Sequence, residues 1–396
     1  MRRYFDNAAT SYPKPPAVAR AVQESFAGIH ASAGRGAYRE ALEAGRVLDH
    51  CRAALRKLFS AAAADHVIFA LNGTDALNLA LKALLRSGDH AVTTCLDHNS
   101  VLRPLHALEE HAGITWTVVP VDPQTTQLDP AAVRAALRPN TRLVVVNHAS
   151  NVTGVLQPID AVGELCRARG VLFLVDAAQS AGHVPIDFAL QPIDLLATPG
   201  HKGLLGPLWT GVLLIRAGVE DKMRTVREGG TGSESERPEQ PEALPDRFES
   251  GSQNGPGIAG LHAGVEWLLA RGVAEVRAHE LELSQRFTDG LDRTQDVTCL
   301  GPRTAEQRVG VFSVCLDGLE PSELAGILES EFGILTRAGL HCAPLAHQRI
   351  GTLARGGTTR FSLGPFLDAD DIDAATHALA EVARRGVACI QGLSPR

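Results

Sequence analysis

Lys202 is one of only five lysines in a chain whose Lys and Arg residues together number 38. The other four, Lys14, Lys57, Lys82 and Lys222, stand beside charges, prolines or helical patterns, where a solvated ammonium is ordinary. Lys202 lies instead in "DLLATPGHKGLLGP", between an apolar run and a glycine-rich turn. An amine can lose its proton there and condense with an aldehyde, which a permanently charged guanidinium cannot do. Asp176 ends the run "VLFLV", Asn151 follows "LVVVNHAS", and His98 follows "AVTTCLD". The turn "LNGTDA" puts Gly73 and Thr74 between a strand and a helix, where free N–H groups and a hydroxyl form a phosphate site in its simplest form. A phosphate cradle, a carboxylate for a ring nitrogen, a histidine to stack on the ring and a lone lysine are together what pyridoxal phosphate requires.

Such a set needs strand ends to hold it. "HVIFAL", "HAVTTCL", "TWTVVPV", "TRLVVVNHA", "VLFLVDAA", "DLLATP" and "GVLLIR" read as strands. Between them, "TDALNLALKALL", which begins at a threonine cap, "NSVLRPLHALEEHAG", "DPAAVRAAL" and "PIDAVGELCRARG" read as helices. Near-continuous apolar strands separated by amphipathic helices predict an α/β protein with a mostly parallel sheet covered on both faces. Ligands of such sheets bind beyond the carboxyl ends of the strands, where these polar residues fall. Residues 14–57 are predicted helical. From Glu228, "EGGTGSESERPEQPEALPDRFESGSQNGPG" has no periodicity and reads either as a linker or as a working loop. A long helix is expected from Ile258 to about Arg293, followed by mixed strands and helices that suggest a smaller α+β domain.

The bulk numbers narrow the function. A net charge of −7 disfavours nucleic acid and anionic membranes, and no apolar run is long enough to span a bilayer. The start, "MRRYFDNAAT", does not read as a signal peptide. Seven scattered cysteines with no C-x-x-C pair argue against a disulfide framework and against a metal site, so a cytoplasmic location is expected.

Seven further motifs, in order, are "YFDNAATSYPKP", "NGTDALNLAL", "DHNSVLRPL", "HASNVTGV", "FESGSQNGPGIAGL", "RAGLHCAP" and "TTRFSLGPF". With "VDAAQSAGHVPID" and "GHKGLLGP", they make the chain resemble the fold-type-I pyridoxal-phosphate enzymes of aminotransferase class V, within the cysteine desulfurase and selenocysteine lyase branch. The resemblance implies a large cofactor domain over residues 14–255, with residues 1–13 and 256–396 in the small domain. It implies that Lys202 carries the cofactor, Asp176 faces its ring nitrogen, Gln179 bonds its phenolic oxygen and His98 stacks on the ring. Asn151 would orient ring or substrate, and Gly73, Thr74 and His201 would hold the phosphate. Thr231 would reach the phosphate of a neighbouring subunit in a homodimer. Arg360 would bind the substrate carboxylate through its planar fork. Cys342 would be the nucleophile that takes the sulfur.

One departure stands out. The branch carries Ser or Thr three positions before the lysine, where this chain has Pro199, with Thr198 one step further back. Cys342, in the "R-x-G-x-H-C" arrangement of "RAGLHCAP", is set apart from the six other cysteines, which read as small buried hydrophobes. His341 beside it is expected to favour thiolate. The activity implied is conversion of L-cysteine to L-alanine, with a persulfide on Cys342 that an acceptor protein or thiol unloads. L-selenocysteine lysis and class V transamination are the alternatives. A non-catalytic homologue that binds a partner through the acidic "SESERPEQPE" loop is a remote one.

Overall fold

Runs such as Leu143–Val146 leave no face for water, and in the computed structural model they lie at the middle of a sheet. The structure describes residues 2–28, 31–34, 36–63 and 66–392, with side chains as far as residue 385. The chain opens with β1 (Arg3–Tyr4) and the helices α1 (Pro16–Ala27) and α2 (Arg39–Leu58). An alternation follows: β2 (Val67–Ala70), α3 (Gly73–Leu84), β3 (His90–Thr94), α4 (Asn99–Ala112), β4 (Thr115–Val119), α5 (Pro130–Ala136), β5 (Thr141–Asn147), α6 (Ile159–Arg169), β6 (Leu172–Asp176), β7 (Leu195–Pro199) and β8 (Gly211–Ile215). The rest is α7 (Gly255–Arg271), α8 (Val273–Asp292), β9 (Val297–Cys299), β10 (Val311–Leu316), α9 (Pro321–Phe332), β11 (Ile334–Leu335), β12 (Arg337–Gly339), α10 (Pro344–Arg349), β13 (Thr358–Ser362) and α11 (Ala369–Gly392).

Seven strands form one sheet in the order β2-β8-β7-β6-β5-β3-β4, and only β8 runs against its neighbours. Alternate side chains of each strand enter two separate cores. Val144, Val146, Phe173 and Val175 face one core, with α2, α6 and α7; Leu143, Val145, Leu172 and Leu174 face the other, with α3 and α4. This is the expected mostly parallel sheet covered on both faces. Four antiparallel strands, β12-β13-β10-β9, form a second sheet with its own core against α8, α9 and α11. The two residues of β1 pair with β11, so the first residues of the chain lie among the last third. The core of the larger sheet continues through Ile258, Leu261, Val265 and Leu268 of α7.

Three local expectations need correction. The helix expected from Ile258 to Arg293 is two helices, because Gly272 between them sits at φ 86° and has no side chain to strain. The cap of α3 is Asn72, whose side chain accepts the Asp75 N–H at 2.9 Å, and not a threonine. The aperiodic stretch after Glu228 is no free linker along its second half. Phe248 is buried in the core, and Glu249 accepts from Arg52 at 2.5 Å and from the Phe69 N–H at 2.6 Å. Cys51, Cys95, Cys166, Cys299 and Cys315 are buried and free; Cys389 lies beyond the described side chains. No helix among the described residues is long and apolar enough to cross a membrane.

Candidate active site

The carboxyl ends of β2, β3, β5, β6 and β7 open onto one cavity of about 280 Å³. Gly73, Thr74, His98, Asn151, Asp176, Gln179, His201 and Lys202 all line it. They come from five turns, and the sheet register brings them together: Asn147, at the end of β5, lies opposite Asp176, at the end of β6.

Lys202 is placed by backbone packing. A Cβ on Gly203 would meet the Ala181 carbonyl oxygen at 2.1 Å, and one on Gly182 would meet the Gly203 oxygen at the same distance. The turn after Asp176 and the turn carrying Lys202 therefore interlock main chain to main chain. Enclosure pulls the Lys202 pKa down to about 8; Asp176 opposes this, and the positive charges of Arg360 and Arg337 add to it. Near neutrality, a useful fraction of this amine is uncharged, the form that attacks carbonyls. Burial pushes the Asp176 carboxyl up, while the Ala178 N–H at 2.9 Å and Lys202 pull it down. Its other oxygen, Oδ2, carries no bond among the described residues.

His98 caps α4. Its Nδ1 accepts the Ser100 N–H at 3.0 Å, so the proton of the neutral ring sits on Nε2. Burial and then the Lys202 charge depress its pKa to about 4, which leaves the ring uncharged at pH 7. His201 is held near 4 for the same reasons. The His201 carbonyl gathers donors from the amino-terminal segment: the Ser11 N–H at 3.0 Å, Thr10 Oγ1 at 3.1 Å, Ser11 Oγ at 3.2 Å and Lys14 Nζ at 2.8 Å. The Gln179 amide donates to the Ala8 carbonyl at 3.1 Å.

Arg360 and Cys342 sit behind the cavity wall and are tied to it. Arg360 donates to the Asn151 carbonyl at 3.1 Å and to Asp6 at 2.8 Å, and its buried Nε has no partner among the described residues. The Asn151 side chain donates to the His341 carbonyl at 2.6 Å, and the Asn99 N–H donates to the Cys342 carbonyl at 2.8 Å. His341 and Cys342 both adopt the left-handed region, at φ 48° and 59°, which costs a residue with a Cβ about 1 kcal/mol or more.

One expectation is overturned here. His341 does not charge the thiol: it is buried against Thr358, and burial together with Arg360 drives its pKa to about 2. The cation beside the sulfur is Arg337, with Nη2 3.7 Å from Cys342 Sγ. At the departure noted in sequence, strand alternation turns Thr198 away from the cavity that Pro199 lines, and Thr198 Oγ1 bonds back to the Pro199 carbonyl at 3.4 Å. Thr231, expected to serve a neighbouring subunit, lies at the surface of this chain near Ser233, along a separate groove with Arg52 and Asp246.

Sequence reasoning left two contributors unassigned. Asp97, fully buried, accepts from Thr93 Oγ1, the Thr94 N–H and Thr94 Oγ1 on Oδ2, and from the Asn147 N–H on Oδ1. It pins the corner between β3 and α4, and burial raises its carboxyl to about 7. Ser100 joins Thr74 and His98 in a hydroxyl chain. Both flank residues in "DHNSVLRPL", and that adjacency to His98 was the available signal.

Comparison with known proteins gives the family and the fold. The aminotransferase class-V family model matches residues 3–375. A probable cysteine desulfurase of Methanothermobacter thermautotrophicus is 32% identical over 386 residues, covering 97% of this chain and 95% of that protein. One from Pyrococcus abyssi is 33% identical over 390 residues, with coverage of 96% and 94%. Among solved structures, the apo cysteine desulfurase of Thermococcus onnurineus NA1 superposes with a TM-score of 0.90 at 31% identity, covering 96% of this chain and 94% of that one.

Proposed function

The chain belongs to the aminotransferase class V family, and from that premise we propose that it is a pyridoxal-phosphate-dependent cysteine desulfurase. The observation that carries the reading is one buried amine of lowered pKa, Lys202, sharing a cavity with the Asp176 carboxylate while Cys342 lies just behind the wall. In this reading residues 14–255 surround the larger sheet and carry the cofactor site. Residues 1–13 and 256–396 supply the substrate arginine and the thiol, with α7 shared between the two units.

The polar inventory fits the cofactor. Asn147 Oδ1, Asn151 Oδ1 and His201 Nδ1 are buried, belong to residues lining the cavity, and have no partner among the described residues. Asp176 would face the pyridine nitrogen, a buried carboxylate against a cation. His98 would cover the ring, and Gln179 and Asn151 would hold its polar edge. Gly73, Thr74 and His201 would take the phosphate at the N-terminus of α3. When bound, the cofactor supplies an electron sink for charge released at the substrate α-carbon. Thr231 would serve the cavity of a second copy. Exposed Leu71, Leu208 and Trp209 support such a homodimer, since Leu208 and Trp209 stand at the cavity mouth, with Trp209 64% exposed.

Each remaining step belongs to residues of this chain. Arg360 binds the carboxylate of L-cysteine through its spare Nε–H. Lys202, as free amine, accepts the α-proton and returns protons to carbon. Cys342 thiolate, beside Arg337, attacks the substrate sulfur. The sulfur–carbon bond breaks, a sulfur–sulfur bond forms, and the carbon skeleton leaves as alanine, so carbon is reduced while the two sulfurs are oxidised. A thiol or an acceptor protein then removes the outer sulfur. The test is a visible spectrum of the purified protein, followed by an alanine and sulfide assay with L-cysteine and with L-selenocysteine. A colourless protein that makes no alanine from either would sink the reading. Full desulfuration by Cys342→Ala would remove the thiol from it.

A further inference from the structure

Two helix N-termini meet at one end of the cavity, and the hydroxyls there form a chain. Thr74, in the first turn of α3, and Ser100, in the first turn of α4, are hydrogen-bonded through their hydroxyls at 2.7 Å. Ser100 Oγ also lies 2.8 Å from His98 Nδ1. Ser100 is only 8% exposed, and both residues line the cavity. The facing wall is Pro199: a Cβ on Gly73 would lie 3.0 Å from Pro199 Cδ and 3.2 Å from its nitrogen. Proline has no N–H and no polar side-chain atom, so that wall offers an anion nothing.

We propose that Ser100 is a positioning residue for the phosphate, directing the Thr74 hydroxyl into the anion cup, whose facing wall at Pro199 has no donor to offer. The argument is a count of hydrogens. The Nδ1 lone pair of His98 takes the Ser100 backbone N–H at 3.0 Å. Either hydroxyl can donate across the 2.7 Å contact between Thr74 and Ser100; when an anion in the cup takes the Thr74 hydrogen, the Ser100 hydrogen turns from His98 Nδ1 to Thr74 Oγ1, and Nδ1 keeps the Ser100 backbone N–H. Chained hydroxyls polarise one another, which strengthens the last donor. The neutral tautomer of His98 is set separately, by the Ser100 backbone N–H, which a side-chain substitution leaves in place.

This rests on the cofactor reading above, and the test separates the two. Dissociation constants for pyridoxal phosphate and for phosphate-free pyridoxal are measured on apoprotein by fluorescence quenching, with melting temperatures recorded alongside. Ser100→Ala is expected to weaken pyridoxal phosphate by between about tenfold and about a hundredfold, the worth of a hydrogen bond to a charged group, while leaving pyridoxal within about twofold. Ser100→Thr, which keeps the hydroxyl, is expected to bind both as wild type does. Adding Pro199→Ser to Ser100→Ala is expected to recover part of the lost affinity, because it returns a hydroxyl to the wall opposite Gly73. Equal losses for both aldehydes, or no loss for either, would overturn the proposal. Wild-type apoprotein that bound neither would overturn the cofactor reading beneath it.

Discussion

The two reactive side chains are held in opposite ways. The Lys202 turn is locked by carbon that cannot be added: Gly182, Gly200 and Gly203 each approach neighbouring atoms so closely that a Cβ would land 2.1–2.2 Å from an oxygen. The Cys342 turn is held by polar threads, the Asn99 N–H and the Asn151 amide, across two residues in a disfavoured backbone region. Steric interlock tolerates no movement, whereas hydrogen bonds exchange readily and strain lowers the cost of leaving. In the proposed reaction this difference has a purpose. The amine must keep one position beside Asp176 through every turnover, while the thiol must meet a substrate and then present its sulfur elsewhere.

The contrast can be attacked from either side. Lys202→Ala should cut alanine formation by about 10²–10⁴-fold or more, the usual share of a positioned acid–base group, in a coupled alanine assay. Cofactor capture by the apoprotein should accelerate about tenfold per pH unit up to about 8 and then level off, because only the deprotonated amine reacts and Lys202 titrates there. An ordinary lysine would keep accelerating to about 10.4. His98 and His201 are expected to add no break between pH 5 and 7, since both are already neutral, so any break near 7 reports Asp97. Stopped-flow absorbance across the pH range reads all three features. Gly203→Ala should lower the unfolding free energy by about 1–3 kcal/mol, the cost of overpacking, in urea melts; Asn151→Ala should cost only about 1 kcal/mol and loosen the cysteine turn. The smallest effects separate charge from proximity at the thiol. Arg337→Ala should slow iodoacetamide capture of Cys342 by about threefold, the scale of a partly exposed charge contact. His341→Gln should leave that rate unchanged, because the histidine carries no charge to lose.

What could be read in the chain, and what could not, follows from the range of the forces involved. The alternation from Val67 to Ile215 was legible because a strand buried on both faces needs an unbroken apolar run, and a covering helix needs a stripe. Lys202 and Asp176 were legible because strand ends expose their last residues to one crevice. The parity of Pro199 and Thr198 is legible too, since neighbouring strand residues face opposite ways. The two-residue strands β1 and β11 carry no period to detect. The charge of His341 depends on what buries it, and Thr358 and Arg360, which set it, are 17 and 19 positions away. Arg337, Asp97 and Ser100 were each inside a quoted motif, yet their work depends on partners that only the folded chain brings near.

The cluster of donors on the His201 carbonyl couples the chain's beginning to its end. Thr10, Ser11 and Lys14 grip the lysine turn, while Asp6 holds Arg360 and Asn7 bonds to the Ser362 carbonyl. During synthesis those first residues leave the ribosome hundreds of positions before their partner strand exists. The nascent larger sheet can gather its apolar runs early, but the crevice stays unfinished until residue 362 has emerged. A chain released before that point keeps Thr10, Ser11 and Lys14 for the lysine turn but lacks Arg360 and Ser362, so Asp6 and Asn7 have nothing to anchor and the crevice lacks its arginine.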